Sequence, residues 1–583
     1  MSQKREKGDI LAKKGSKKPN KKAYPDPRTT DPKQHRRQRF FEMIPGFLTW
    51  FTLIGMFVFS WLLPVWMAIF IIIFDIYWIY RTIYIATYSI MAYKKLKRWK
   101  KIDWRYRLVK IFSGDELIDE LKTEIKDLTA EVKNSKLSRK LKKELKQRLI
   151  ERKNFLSRAK CDLKHRAKFL DWEKVYHVIM LPTAGEKAEI IAPAIEALKK
   201  ANYLKDKIII LLAMEEREPI EDRNKKEKIL RDKYEGKFFD FITTVHEVKG
   251  NEMKCKASNT TYAAKKLKKY LEKKGIPLEN VVLSNFDCDT QIHPQYLAAL
   301  TYAYVTEPKR LQFAYQPLPM YHNNLWDTIA PVRVIVTGSS FWHMVESMRP
   351  DHMVTFSSHS EPFKTIVDVD YWPVNVISED SVIYWKGYNY FDGDYQVKPI
   401  YLPVSLDAVL GNNYWHTIKN QYKQKQRWAY GIENFPLLAR AFLNNKKISF
   451  FKKIKYCFTM IEGHHSWATA SFILAFLGWM PLLFGGERFN ESVLAHNLPY
   501  ITRYLMTLAM IGLVVAMFLS FLLMPPRPAR HSKKKYIYMF FQWFLAPFIA
   551  PFLGAAPAVD SQTRILLGKY FGEFWVTEKV RKE

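Results

Sequence analysis

Three short clusters in this sequence carry the residue types and spacings that bond-making chemistry needs. Asp287-Cys288-Asp289 sets two carboxylates one residue apart. At a strand end such a pair can converge on a hard divalent cation, and Mg²⁺ or Mn²⁺ held there keeps open positions for substrate phosphates. A solvated surface turn is the plain alternative for the same residues. Ser378-Glu379-Asp380 adds a second acidic pair, and Gln424-Lys425-Gln426-Arg427-Trp428 brings an amide, a guanidinium and an indole close together. An indole can carry the apolar face of a sugar ring, and a guanidinium can meet phosphate oxygens. For Trp428, anchoring at a membrane interface is the rival reading.

The elements around these clusters alternate. His177–Leu181 reads as a short β run, Glu186–Ala201 as a helix, Ile208–Ala213 as a buried strand and Val281–Asn285 as another. This predicts an α/β domain with a mixed, mostly parallel sheet, spanning 171–442. Ligands of such open sheets bind outside the carboxyl ends of the strands, and Asp287-Cys288-Asp289 follows one of those ends.

The chain has 583 residues, 48% of them hydrophobic, with 93 Lys+Arg against 58 Asp+Glu. It is too long for one ordinary domain and too apolar for a disordered chain. Cys161, Cys255, Cys288 and Cys457 lie far apart, which argues against a disulfide framework or a cysteine zinc site and puts the soluble parts in a reducing compartment. Residues 1–40 carry a net charge of +10 and residues 93–168 one of +15, out of +35 overall. Between them, no charged residue occurs from Ile44 to Phe74. That predicts a multi-pass membrane protein in which 44–92 is a transmembrane hairpin, 466–524 holds two more spans (Ser466–Phe484 and Tyr504–Met524), and basic flanks keep both termini and the α/β domain in the cytosol of a plasma (inner) membrane. The segment 535–556 holds Pro547 and Pro551 and reads as interfacial or re-entrant, and 443–465 as an interfacial helix.

The remaining stretches read more simply. Residues 1–40 form a disordered basic tail suited to an anionic lipid surface, and its lack of aromatics argues against nucleic acid. Residues 113–170 read as a charged helical hairpin, with Ser113 and Glu116 in capping-box spacing; it is either a solvated coiled coil or a docking arm for an accessory subunit. His464 and His465 are adjacent on a helix and would not share a metal. Asp75 and Arg81 lie within the second span, where packing or snorkelling is the plain expectation.

The order D-x-D, E-D, Q-x-x-R-W and then a transmembrane pair resembles the membrane-embedded family 2 glycosyltransferases, the group of cellulose, chitin and hyaluronan synthases. The resemblance covers about Val175–Phe442 and the flanking spans. It extends to Phe574-Trp575-Val576-Thr577-Glu578-Lys579, which looks like the F-x-V-T-x-K gating loop of cellulose synthases and gives Phe574, Val576, Thr577 and Lys579 that role in a cytosolic tail, 557–583. The resemblance implies a GT-A-type domain inserted between transmembrane pairs and an inverting transfer from a UDP-sugar to a glycan or lipid acceptor. It implies Mg²⁺ or Mn²⁺ on Asp287 and Asp289, Asp380 as the general base, and Glu379, Gln424, Arg427 and Trp428 at the acceptor and diphosphate. Thr183, Glu186, Glu215, Glu216, Lys256 and Asp287 fall where the family contacts the donor, although Gly185-Glu186 replaces its usual Asn-Glu pair and Glu215-Glu216 its paired Asp residues. Extension of a β-linked polysaccharide with export is the expectation. Addition of a single sugar to a lipid, and a non-catalytic membrane scaffold, are the alternatives.

Overall fold

The computed structural model describes residues 24–134, 137–250 and 252–572; Phe574, Val576, Thr577 and Lys579 lie outside them. Helix α1 (Pro32–Leu62) opens with Asp31 as its cap, Oδ1 accepting from the Gln34 N–H at 2.7 Å, and with Pro32 in the first turn. Residues 32–40 are therefore helical, not part of a disordered tail. Their polar side chains find partners far along the chain: Gln38 accepts from Arg440 at 2.7 Å, and Arg39 donates to the Ile565 carbonyl at 2.9 Å. Pro64 breaks the apolar run and starts α2 (Pro64–Trp99). The charged hairpin follows as α3 (Asp115–Lys133) and α4 (Arg139–Leu163). Gly114, at φ +66°, caps α3, so the Ser113 capping box does not form.

The α/β domain runs β1 (Tyr176–Pro182), α5 (Ala188–Lys199), β2 (Ile208–Glu215), α6 (Ile220–Tyr234), β3 (Asp240–His246), α7 (Lys256–Lys273) and β4 (Val281–Asn285). Next come β5 (Gln291–Ile292), α8 (Tyr296–Val305), β6 (Phe313–Met320), α9 (Ala330–Ser347), β7 (His359–Pro362), α10 (Glu379–Tyr390) and β8 (Gln396–Ser405). The eight strands form one sheet in the order β3-β2-β1-β4-β7-β6-β8-β5. β3, β2, β1 and β4 are parallel; β7 is antiparallel to β4 and β6, β6 and β8 pair in parallel, and β5 is antiparallel to β8. β1 and β2 are almost wholly buried because both faces are covered. Ile179, Leu181, Ile208 and Ile210 face a core shared with α5, α6 and α8, while Val178, Met180, Ile209 and Leu211 face one shared with α7.

Past the sheet come α11 (Tyr414–Ala429), α12 (Asn434–Asn444) and α13 (Phe450–Ala475). α13 runs unbroken across residue 465, so the expected interfacial helix and the next span are one helix. It meets Leu477–Phe484 at a 54° bend. α14 spans Val493–Leu523, and residues 535–566 form a broken helical stretch ending in α15 (Ala556–Leu566). Among the described residues, four helices are long and apolar enough to cross a membrane: α1, α2, α14 and Lys535–Leu566. The last of these meets the ends of two others, Trp543 donating to Ser520 Oγ at 2.9 Å near the end of α14 and Ile565 accepting from Arg39 near the start of α1. Helix contacts here are close: a methyl group at Gly46 would stand 2.7 Å from the Gln562 carbonyl.

Candidate active site

The carboxyl ends of the parallel strands deliver the first residues. Thr183 follows β1, Glu215 ends β2, and Asp287 comes two residues after β4, whose chain is continued by the Phe286 N–H donating to the Met180 carbonyl at 3.0 Å. Helix α7 begins at Lys256 and aims its first side chain into the same place. Lys256 Nζ lies 2.9 Å from Asp287 Oδ1, 2.9 Å from Glu379 Oε1 and 3.5 Å from Asp380 Oδ1. Burial works against the ammonium charge, but Asp287, Asp380 and Glu379 outweigh it and hold the group protonated far above the ordinary lysine range. Glu379, buried beside Asp380, is pushed up, first by desolvation and then by that neighbouring carboxylate, with Lys256 opposing. Asp380, with its side chain 24% exposed against 3% for Glu379, is the one open to a ligand.

Glu379 and Asp380 form the first turn of α10, and the segment before them is pinned from α12's side of the molecule. Glu433 Oε1 accepts from the Ile377 N–H at 2.8 Å, the Ser378 N–H at 2.7 Å and the Ser378 hydroxyl at 2.7 Å. Burial pushes Glu433 up to about 7, with the Ser378 and Ile377 bonds opposing. A second brace is the loop before β7. Thr355 donates to the Asp380 carbonyl at 2.5 Å, and Ser357 donates to Asp287 Oδ2 at 2.6 Å. Ser358 in that loop holds φ +64°, a region uncommon for a residue with a Cβ. His359 is buried, with Nδ1 at 2.9 Å from the Phe356 carbonyl and 4.0 Å from Asp380 Oδ1. The motif reading missed Glu433 and this loop. The signal open to it was the hydroxyl run Thr355-Phe356-Ser357-Ser358 and a lone acid five residues after Trp428.

Asp289 is fully buried, and its Oδ2 accepts from the Asp407 N–H at 2.7 Å, tying the turn to the chain just past β8. Among the described residues no group of three or more His, Cys, Asp or Glu is placed to hold a metal. Two carboxylates still suit a hard cation in kind, since Mg²⁺ is commonly held by one or two of them with substrate phosphates filling the rest. Asp287 would have to exchange its contact with Lys256 for the ion.

Helix α11 carries the third cluster. Arg427 is half-buried; desolvation lowers it from the usual guanidinium range, and the charges of Asp287, Glu379 and Asp380 oppose that. Gln424 accepts from Gln421 Nε2 at 3.2 Å, and Trp428 lies 6.2 Å from the Tyr321 ring. Lys425, the residue between them, is pushed down to about 7 by burial; its ammonium sits 4.5 Å from the Trp428 ring centre and donates to Ser339 Oγ at 2.9 Å.

The residues after β1 and β2 form a separate group. The Thr183 hydroxyl accepts from Lys226 Nζ at 3.2 Å, and Lys226 is paired with Glu218 at 2.7 and 2.6 Å. Gly185 holds φ +118°, which a side chain would resist, and the helix expected from Glu186 starts only at Ala188. Glu186 instead accepts from the Ala184 N–H at 2.7 Å within the turn. Glu215 is pushed up to about 7 by burial, with Arg217 opposing and Glu186 and Glu218 adding to the rise. Glu216 is exposed.

No family model matches the chain and no curated protein matches it. Among solved structures, the mannosyltransferase PcManGT from Pyrobaculum calidifontis, in complex with GDP-Man and Mn²⁺, is similar at 14% identity over 58% of this chain and 86% of that one, with a TM-score of 0.35. TarS 1-349 of S. aureus with UDP-GlcNAc is similar at 11% identity over 68% and 93%, TM-score 0.33. GalNAc-T7 with UDP, GalNAc and Mn²⁺ is similar at 10% identity over 50% and 58%, TM-score 0.31.

Proposed function

We propose that the chain is a membrane-embedded, inverting, metal-dependent glycosyltransferase of the GT-A type that takes sugar from a UDP-sugar at the cytosolic face and extends a β-linked polysaccharide. The observation that carries this reading is the convergence on Lys256: one ammonium within 3.5 Å of carboxylates from two motifs about ninety residues apart, with Arg427 of a third within electrostatic reach of the same charges. Such a site has cations for a diphosphate and an exposed carboxylate for a hydroxyl. Surface ion pairs do not gather in this way.

In the proposed reaction Lys256 and Arg427 bind the diphosphate, Lys256 leaving Asp287 to do so. Asp287 and Asp289 would hold Mg²⁺ or Mn²⁺, which when bound neutralises charge on the departing diphosphate. Asp380 takes the proton of the acceptor hydroxyl as that oxygen attacks the anomeric carbon. The glycosidic bond to UDP breaks on the opposite face, and the configuration inverts. Glu379, the more buried neighbour, leaves Asp380 as the carboxylate open to the acceptor. Trp428 and Gln424 support the acceptor sugar, and Thr183, Glu186, Glu215 and Glu216 form the nucleoside side of the cleft. The stretch Lys535–Leu566 is an interfacial or re-entrant segment, a reading supported by Trp543 meeting the end of α14 and Ile565 the start of α1, ends that the flanking basic residues assign to the cytosolic side.

The test is to incubate the purified full chain with UDP-glucose, UDP-N-acetylglucosamine, UDP-galactose and UDP-glucuronate, each with Mn²⁺ or Mg²⁺, and to measure free UDP and product length. Release from one donor with a growing glycan is expected. Addition of one sugar per acceptor would replace the polymerase by a single-transfer enzyme, and no release from any donor would remove the reading.

A further inference from the structure

We propose that α4, the second helix of the charged hairpin, lies along an anionic lipid leaflet through one cationic face. Arg139, Lys143, Lys146, Lys153 and Lys160, with Ile150 and Ser157 between them, follow one another in alternating steps of four and three, the spacing of a single helical face, and all are exposed. The stripe runs about 32 Å along the helix. The carboxylates of α4, Glu144, Glu151 and Asp162, fall off that face, and the opposite face packs inward with Phe155 and Ala159 buried. Among the described residues none of the five cations pairs with a carboxylate. The helix's other three arginines do: Arg148 and Arg152 with Glu124 at 3.1 and 2.8 Å, and Arg158 with Asp162 at 2.9 Å.

The middle of α4 is fixed beside the end of α2, a helix long and apolar enough to cross a membrane. Lys101, two residues past Trp99, donates to Gln147 Oε1 at 3.1 Å, and Arg107 pairs with Glu151 at 2.6 Å. The last turns of α2 carry Lys94, Lys95, Lys97 and Arg98, so its apolar run ends only about 8 Å before Trp99. The centre of the stripe, next to Gln147, is thereby held near the height of the headgroups, where basic residues close to a span meet anionic lipid. Ile150 chooses lipid over a soluble polyanion. It stands at the middle of the stripe with 57% of its surface exposed, and an interfacial helix buries such a side chain among headgroups, whereas a polyanion in solution would leave it in water. No aromatic side chain stands in the stripe to stack a base. The companion helix α3 holds seven Asp and Glu against three Lys. An anionic leaflet repels it, so the charge difference across the hairpin turns α4 and not α3 toward the lipid. The far end of α4 is joined to the α/β domain, Tyr302 of α8 donating to Asp162 at 2.8 Å, so the contact sets how that domain stands over the leaflet.

This inference rests on the membrane placement of α2 and not on sugar transfer, so its test is read without any donor. The full chain carrying Ile150→Cys and Cys161→Ser is labelled with a thiol-reactive fluorophore and placed in nanodiscs of phosphatidylcholine, alone or mixed with phosphatidylglycerol, that hold a headgroup spin-labelled lipid as quencher. The same chain without Ile150→Cys gives the background. Quenching should be stronger in the phosphatidylglycerol discs, and the contrast should vanish as NaCl is raised to about 0.5 M. Each cation near such a surface contributes about fivefold to binding, so Lys143→Gln, Lys146→Gln and Lys153→Gln together should bring the quenching down to the phosphatidylcholine level, with an unchanged melting temperature showing the chain folded. Poly-glutamate or a single-stranded RNA added to the phosphatidylglycerol discs should leave the quenching in place. Equal quenching in the two kinds of disc, a contrast that survives salt or the triple variant, or release of the label by either soluble polyanion would each overturn the proposal.

Discussion

Two buried lysines at the carboxyl edge of the same sheet teach opposite lessons. Lys226 has one carboxylate partner, Glu218, at 2.7 and 2.6 Å; both side chains are under 5% exposed, and the remaining bond goes to a hydroxyl. Lys256 has three carboxylates, two of which reach solvent, with Asp287 at 34% and Asp380 at 24% exposure. The first is a closed pair whose charges cancel inside the protein. The second sets two partly exposed carboxylates at an open mouth, which is what a site needs if a metal ion, a phosphate or a hydroxyl proton is to come and go. The exposure of the carboxylates, and not the burial of the lysine, separates structure from chemistry here.

The comparison is broken most severely by Asp380→Asn. With the base gone, turnover should fall by about 10³-fold, within the usual range for general-base removal, while UDP still binds. Full turnover in this variant, measured as UDP release, would move the base elsewhere. Lys226→Met should behave in the opposite manner. An uncompensated Glu218 costs about 3–5 kcal/mol of stability, read by denaturant unfolding in detergent, while the folded fraction keeps its turnover.

Glu433 sharpens the comparison at a distance. Glu433→Ala strands the buried Ile377 and Ser378 N–H groups and lets Asp380 drift, so turnover should fall by about 10²-fold. Glu433→Gln, whose amide oxygen still accepts, should retain most of it. Equal losses in both would make Glu433 a fold residue only.

Glu361 gives the smallest effect and a sign. Burial pushes its carboxyl up to about 8, against about 4.3 in an unfolded chain. The folded state therefore holds a proton that the unfolded state releases. The stability due to that proton is complete below the unfolded value and is lost as pH rises through about 8. Glu361→Gln should match wild type at acid pH and melt higher at alkaline pH; the reverse order would show Glu361 to be paired and charged.

Parts of this molecule were legible in the sequence for a stated physical reason. β1, β2 and β4 are buried on both faces, so their apolar runs announce them. β6 and β8 carry Pro317, Pro319, Pro399 and Pro403, and their pairing slips between Gln316 and Leu318, so no period of two survives to be read. The first turns of α1 look like a solvated tail because Gln38 and Arg39 bond to residues more than four hundred positions away. The three motifs could be named from spacing alone, yet spacing could not show that Lys256 stands among them, nor that Asp289 also accepts from the Asp407 N–H through Oδ2. Glu433, Ser357 and His359 act through tertiary contacts, which leave only faint marks in a linear sequence.

The central claim is that Lys256, and not Lys226, receives the donor's diphosphate. It is tested most directly by titrating UDP with Mn²⁺ into the wild-type chain, Lys256→Met and Lys226→Met and measuring heat. Loss of an ionic contact to phosphate should weaken binding about tenfold or more in Lys256→Met, with folded Lys226→Met close to wild type. Unchanged affinity in Lys256→Met, or the greater loss in Lys226→Met, would contradict the account.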